Sequence, residues 1–412
     1  MVVLKIFVSA YACEPGLGSE IGVGWHWVLE MSKYFELWVL TRKSNQSTIE
    51  PWIAEHPEYN KIHFLYFDLP KWARFWKKGL RGVRLYYNIW QSCTNKIVKR
   101  TMQENDIKIF HHLTYGNALW KVSKYGQKQF FVWGPVGGLE TIPAEFSCMY
   151  TFKPSFIEIV RRSVVAMLPF NRGFRQRCKN ADLILSKTEI TKNLVPAPYR
   201  HKAVLCTDVA VEQSEPYKVM NISKKSTIEF ITVGRLDAWR GFDLVLESFA
   251  QVVRMHPNVH LTIVGSGGDR ENLEAIIEDE DIWDAVTFTG KVSMEQYKKL
   301  MQYSDVVVNA SLKEGAVTVA FDSMAMGKPL ICLDTTGYTR YFSNDYAILI
   351  PITKRLHVLH ELRDAMIRLL DKDTRCSMGK KALEAGKNFS WERKGKEFRD
   401  LLISKFDNES NQ

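Results

Sequence analysis

The chain has 412 residues, enough for two or three domains, and a hydrophobic fraction of 46% with 25% charged residues is that of an ordinary globular protein. Seven scattered cysteines (Cys13, Cys93, Cys148, Cys178, Cys206, Cys332 and Cys376) form no Cys-x-x-Cys or Cys/His cluster. That pattern predicts reduced thiols in a cytoplasmic setting and excludes a structural zinc site. No apolar run approaches about 18 residues, so no transmembrane helix is expected.

The net charge of +10 is uneven: residues 71–100 hold nine Lys/Arg, no Asp/Glu and six aromatics, and residues 151–180 hold seven Lys/Arg against one Glu. A basic stretch with aromatics suits an anionic membrane surface or nucleic acid, and equally a solvated helix face.

In chain order, residues 4–10 read as a first β-strand. Lys5 breaks the apolar run that a lipoprotein signal ending at Cys13 would need. A loop with Gly16 and Gly18 follows, and those glycines either let the backbone approach a ligand closely or make a plain turn. A helix is expected over 20–34 and strands over 36–41 and 62–67. Between 71 and 90 the apolar residues Trp72, Phe75, Trp76, Leu80, Val83, Tyr86, Tyr87 and Trp90 recur every three or four positions. That spacing is helical, with Gly79 and Gly82 as candidate breaks. Residues 71–82 are divided evenly between membrane contact and packing; residues 83–100 favour packing. Residues 107–110 read as a buried strand running into His111-His112. A buried histidine is usually structural, yet two at the carboxyl end of a parallel strand stand where ligands bind such sheets.

Further strands are expected over 129–133, 183–186 and 202–206, with a loop over 134–140 that serves an acceptor or a rigid turn. Residues 212–226, with Pro216 and several Lys and Ser, read as a linker. The pattern then restarts at 228 with a strand leading into Gly234-Arg235 and Arg240-Gly241. Two cations around a glycine turn can grip a diphosphate, or serve structural salt bridges. Residues 261–269 form a strand and a glycine turn containing Gly265, and 286–292 a strand ending near Val292. Residues 306–309, a polar turn 311–315, a helix over 317–326 and a strand over 329–333 make a strand–loop–helix–strand unit. Its loop carries Glu314 and Gly315. The helix start near Val317 and Thr318 offers free N–H groups for a phosphate, and Asp322 lies about two turns on from Glu314. A helix over 357–370 and a final helix to 406 complete the reading.

The string Glu314-Gly315, a carboxylate eight positions later, and Met-Ala-Met-Gly-Lys-Pro (324–329) resembles the signature of the retaining nucleotide-sugar glycosyltransferases of family 4, whose fold is GT-B. Residues 12–25 resemble a bacterial exopolysaccharide-type subgroup of it. Asp322 stands where that family usually has Glu, Arg240 where Lys is usual, and Asp334-Thr-Thr-Gly-Tyr replaces the usual double-glycine turn.

The resemblance implies an α/β protein of two Rossmann-like doubly wound domains with a cleft between them: 1–211 on the acceptor side, a linker at 212–226, 227–387 binding the nucleotide sugar, and a helix in 388–412 crossing back to the first domain. It implies a metal-independent transferase with no cofactor. The donor is a UDP- or GDP-sugar, and a glycan or lipid-linked molecule accepts. Surface polysaccharide biosynthesis on the inner face of the cell membrane would be its setting, with no nucleic acid partner. It assigns Arg235 and Arg240 to the diphosphate, Glu314 to hydroxyls of the moving sugar, Asp322 to the ribose, and His111 or His112 to the donor sugar. Gly16, Gly18, Gly234, Gly265, Val292, Gly315, Val317 and Thr318 line the donor. A nucleotide-sugar epimerase on the same scaffold, or a decayed enzyme that binds membrane or nucleic acid, are the competing readings.

Overall fold

The computed structural model describes residues 3–77, 82–126, 129–147, 152–212, 226–315, 317–335 and 337–410. They fall into two compact units, one built from Met1–Leu139, Met167–Asp208 and Trp391–Gln412, the other from Glu140–Ala166 and Val209–Ser390. Residues 140–166 thus cluster with the second unit. Of the expected linker, residues 213–225 lie outside the described residues.

The first unit is a seven-stranded sheet in the order β3-β2-β1-β4-β5-β6-β7. Its strands are β1 (Lys5–Ser9), β2 (Glu36–Arg42), β3 (Ile62–Phe67), β4 (Ile109–His112), β5 (Phe130–Val136), β6 (Leu183–Ser186) and β7 (Ala203–Leu205). All neighbours pair in parallel. A parallel sheet is covered on both faces, so its strands are apolar almost throughout; every residue of β4 and β5 is buried. The helices of this half of the chain are α1 (Ser19–Ser32), α2 (Gln46–Glu55), α3 (Val83–Cys93), α4 (Asn95–Glu104), α5 (Ala144–Ser147), α6 (Phe152–Met167), α7 (Arg172–Asn180) and α8 (Glu189–Leu194).

The candidate break at Gly82 is present: Lys71–Ala73 makes a short 3-10 turn, Gly82 sits at φ +78°, and α3 starts only after it. Two local expectations change. β5 runs on to Val136, into the loop expected over 134–140. β4 extends two residues further than expected, which puts both His111 and His112 inside the strand.

The second unit holds a six-stranded parallel sheet in the order β10-β9-β8-β11-β12-β13. Its strands are β8 (Ile228–Val233), β9 (Val259–Val264), β10 (Val286–Gly290), β11 (Val306–Asn309), β12 (Leu330–Asp334) and β13 (Ala347–Pro351). Its helices are α9 (Phe242–Met255), α10 (Arg270–Glu280), α11 (Met294–Tyr303), α12 (Thr318–Ala325), α13 (Arg355–Arg368) and α14 (Lys372–Gly386). A core from Phe230, Phe242, Phe249, Ile263, Val308 and Ile331 to Leu362 and Met366 fills both faces. The chain winds one way from β8 to β9 and the other way to β11, and a crevice at the carboxyl ends of strands on such a reversal is where ligands bind these sheets.

The last helix, α15 (Trp391–Ser410), returns to the first unit. Its Phe398 packs against Trp27 at 5.4 Å and His111 at 5.3 Å.

Candidate active site

In the second unit, the loops after β8, β9 and β11 are locked together by backbone contacts that only glycine permits. Gly241 has φ +67°, and a Cβ on it would sit 2.1 Å from the Ala310 carbonyl oxygen. Gly265 has φ +143°, and its Cβ would sit 1.8 Å from the Gly234 carbonyl oxygen. Leu312 N donates to the Trp239 carbonyl at 3.0 Å. The loop after β8 is therefore clamped against the loop after β11.

This clamp brings Arg240 onto Glu314. The guanidinium Nη1 pairs with Glu314 Oε1, with the two side chains 23% and 11% exposed. The guanidinium also stacks 4.4 Å above the Trp239 ring. Its buried Nε–H has no acceptor among the described residues, an unmet donor of the kind that a ligand oxygen satisfies. Arg235 stands apart from this pair: it is half exposed and donates through Nε to Asp237 Oδ2 at 2.7 Å. Gly234 leaves ordinary contact distance to Phe242 and Arg240.

Glu314 and Gly315 lie in the loop between β11 and α12. Val317 occupies the N-cap of α12 and Thr318 its first turn, and no side chain caps the helix. Its opening N–H groups therefore have no side-chain acceptor among the described residues. Asp322, two turns from Glu314, accepts a hydrogen bond from the Tyr297 hydroxyl on α11 at 2.6 Å. Burial pushes its carboxyl up to about 6; the Tyr297 bond opposes this, and the charge of Glu212 adds to it. Val292, half-buried, follows β10 and precedes Ser293, which caps α11 with Gln296. Behind the loop, Tyr338 is buried and accepts from Asn309 Nδ2 at 3.0 Å.

In the first unit, β1 and β4 end level, with Ser9 beside His112. Gly16 takes φ +72° with open space where a Cβ would be, and Gly18 is the N-cap of α1. Both histidines are enclosed. His111 Nε2 donates to the Gly134 carbonyl at 2.7 Å, and its ring stacks on Phe398. His112 Nε2 lies 3.0 Å from the Tyr87 hydroxyl. Burial lowers His111 to about 4 and His112 to about 3, so both are neutral at pH 7. Their neutral Nδ1 atoms meet no donor among the described residues.

Three charged groups here were not singled out from the sequence. Glu20 accepts from Tyr115 N at 2.7 Å, and its carboxyl is raised by burial and by Asp208 while the Lys187 charge opposes the rise. Lys187, just past β6, pairs with Asp208. Glu20 was visible within the string 12–25; Lys187 and Asp208 carry no local signal, because only the order of strands brings them together.

The basic aromatic stretch divides at Gly82. Trp72 and Phe75 are 79% and 77% exposed, whereas Tyr86, Tyr87 and Trp90 are buried.

Residues 215–385 match the family described as Glycosyl transferases group 1. The second unit carries a group 1 glycosyl transferase domain. An alpha-D-kanosaminyltransferase of Streptomyces kanamyceticus is 30% identical over 140 residues, 34% of this chain and 35% of that protein. Across three such curated relatives the match spans 42%, 35% and 59% of the relative's length. Among solved structures, the lipopolysaccharide outer core galactosyltransferase WaaB in its apo form covers 98% of this chain and 100% of its own, with TM-score 0.63 and 13% identity. Anabaena HepE in complex with UDP and glucose covers 98% and 100%, with TM-score 0.58 and 13% identity. These likenesses show the fold: two parallel Rossmann-like sheets of the GT-B glycosyltransferase class. Among the described residues, no helix is long and apolar enough to cross a membrane.

Proposed function

We propose that the protein is a retaining glycosyltransferase that moves a sugar from a nucleotide diphospho-sugar, a UDP- or GDP-sugar, to a hydroxyl of a glycan or lipid-linked acceptor in surface polysaccharide biosynthesis. The observation that carries this reading is the Arg240–Glu314 pair beside the uncapped start of α12, inside the group 1 domain.

Arg240, with its unmet Nε–H, and the opening N–H groups of α12 take the diphosphate oxygens. Arg235, half exposed and paired with Asp237, adds charge from the open side. Asp322 accepts from ribose hydroxyls, and Glu314 from hydroxyls of the moving sugar. The bond from the anomeric carbon to the phosphate oxygen breaks with its electron pair leaving on the diphosphate, and the cations stabilise that charge. The acceptor oxygen bonds to the same face of the carbon, and its proton passes to the departing phosphate. Acceptor recognition falls to the first unit, where Glu20, Lys187 and Asp208 gather at the carboxyl edge of its sheet. HepE's complex with UDP and glucose and the galactosyltransferase WaaB support a sugar-nucleotide donor by analogy of fold. Trp72 and Phe75 support peripheral attachment to an anionic membrane.

The test is nucleotide release and sugar transfer from a panel of UDP-, GDP- and ADP-sugars with EDTA present, beside Glu314→Ala, with the anomeric configuration of the product read by NMR. Release of one nucleotide with retained configuration, lost in the variant, is expected. An isomerised sugar still attached to its nucleotide would overturn the reading in favour of an epimerase.

A further inference from the structure

Helix α6 lies outside the matched span 215–385, yet residues 140–166 cluster with the second unit. Its apolar residues Phe156, Ile157, Ile159 and Val160 are exposed, while Glu158 is buried and Arg161 and Arg162 are half-buried. Only 2% of Glu158 meets solvent. A charge at that depth is costly unless it is paired and hydrogen-bonded.

Both oxygens of Glu158 are engaged. Oε1 accepts from Ile142 N at 2.7 Å, and Oε2 accepts from Lys313 Nζ at 2.7 Å. Ile142 belongs with Phe146 to the core of the second unit. Arg161 and Arg162 fasten the same segment by donating to the carbonyls of Glu140 and Ile142. Lys313 stands 155 residues away in the chain, in the loop between β11 and α12, immediately before Glu314. Its side chain is 15% exposed. Burial pulls its ammonium below the usual lysine range, and the bond to Glu158 and that group's charge oppose the fall. The ammonium lies 5.5 Å from the centre of the Trp239 ring, the ring on which the Arg240 guanidinium stacks at 4.4 Å. A chain of contacts therefore runs from Ile142 through Glu158, Lys313 and Trp239 to Arg240, and Arg240 pairs with Glu314.

We infer that Glu158 is a positioning residue of the donor site. By holding Lys313 against Trp239 it sets the ring on which Arg240 stacks, and so the direction of the guanidinium offered to the diphosphate. A buried ion pair is seldom more stabilising than apolar side chains of similar volume, so stability alone does not explain this one. Each contact in the chain is directional, and one ring carries both cations. The Lys313 charge is answered by Glu158, whereas the Arg240 Nε–H has no acceptor among the described residues. A diphosphate oxygen therefore meets the guanidinium. The inference rests on the donor assignment made above, and adds to it a carboxylate from outside the group 1 domain.

The experiment measures UDP and UMP binding by calorimetry, with GDP and GMP in parallel, for the wild type, Glu158→Gln, Lys313→Ala and the double variant. The amide of Glu158→Gln has one oxygen for two donors. Circular dichroism reports folding. Acetylation of Lys313 by acetic anhydride, read by mass spectrometry, reports its release without any nucleotide. Glu158→Gln should weaken the diphosphate about three- to tenfold and the monophosphate much less, and Lys313 should acetylate faster. The double variant should bind like Lys313→Ala alone, since one chain of contacts is broken only once. Equal losses for diphosphate and monophosphate would mean a structural role only and overturn the inference. Diphosphate binding that is unchanged or tighter in Glu158→Gln would overturn it too, with the donor assignment intact. If the wild type binds none of the nucleotides, the donor assignment fails and this inference with it. If Glu158→Gln does not fold, Lys313→Ala should show the same loss confined to the diphosphate, and a Lys313→Ala variant without that loss overturns the inference.

Discussion

Glu314→Gln keeps the shape of the Arg240 pairing and removes its charge. The Glu314 carboxylate neutralises the guanidinium that a diphosphate would use. A carboxylate and a phosphate on opposite sides of one guanidinium stand about 6 Å apart. With an effective dielectric of about 40 for this partly exposed pair, their repulsion is 332/(40 × 6), or about 1.4 kcal/mol, about tenfold in affinity. The variant should therefore bind a nucleoside diphosphate about three- to tenfold more tightly by calorimetry. The same substitution should lower stability. A buried pair that loses a partner costs roughly 3–5 kcal/mol and an exposed one about 0–1, and side chains 23% and 11% exposed fall between them, at about 1–2 kcal/mol. Transfer should drop at least about 100-fold, because the sugar loses its hydroxyl acceptor at the developing charge. Arg240→Ala should move affinity the other way, weakening it about tenfold or more. The reasoning is refuted if Glu314→Gln weakens nucleotide binding as Arg240→Ala does, or if its turnover equals the wild type's.

Asp322 and the two histidines pull stability in opposite directions with pH. Burial raises Asp322 from 3.8 to about 6, so its destabilising charge disappears as pH falls from 6 towards 4. Burial lowers His111 and His112 from 6.5 to about 4 and 3, so their contribution is complete above 6.5 and is lost as pH falls. Each group contributes up to about 1.4 kcal/mol per pH unit, so the histidines win and stability should fall below about pH 6; His112→Asn should flatten that limb in urea titrations. Nucleotide affinity should also weaken below about pH 6, as Asp322 gains the proton that blocks its ribose contact, and Asp322→Asn should be weak at every pH in calorimetry. Turnover should persist in EDTA, read as nucleotide release. Gly265→Ala forces a methyl to 1.8 Å from the Gly234 oxygen at φ +143°, and should cost at least about 2 kcal/mol in a thermal melt.

The parallel sheets were legible because their strands are short apolar runs between glycine turns: 62–67, 183–186 and 306–309 coincide with β3, β6 and β11. β13 and α14 were not anticipated, since neither carries a motif and both are fixed by packing on the second sheet. The cations and carboxylates of the group 1 domain could be named from loop position alone. Their pairings could not: Arg240 with Glu314, Arg235 with Asp237 and Tyr297 with Asp322 depend on loops meeting in space. α6 escaped notice for a related reason. Its sequence is amphipathic, and an amphipathic helix is ordinarily assumed to bury its apolar side.

The return of α15 to the first unit sets an order on synthesis. Trp391 and Phe398 cover Trp27, Phe398 also covers Phe35 and His111, and Phe406 packs on Phe130. Those aromatic groups precede the second unit in the chain, and α15, which covers them, follows it. The second unit can close its core while the first still waits for its last helix. In a nascent chain that aromatic face therefore stays open until residues 391–410 have followed the second unit out of the ribosome.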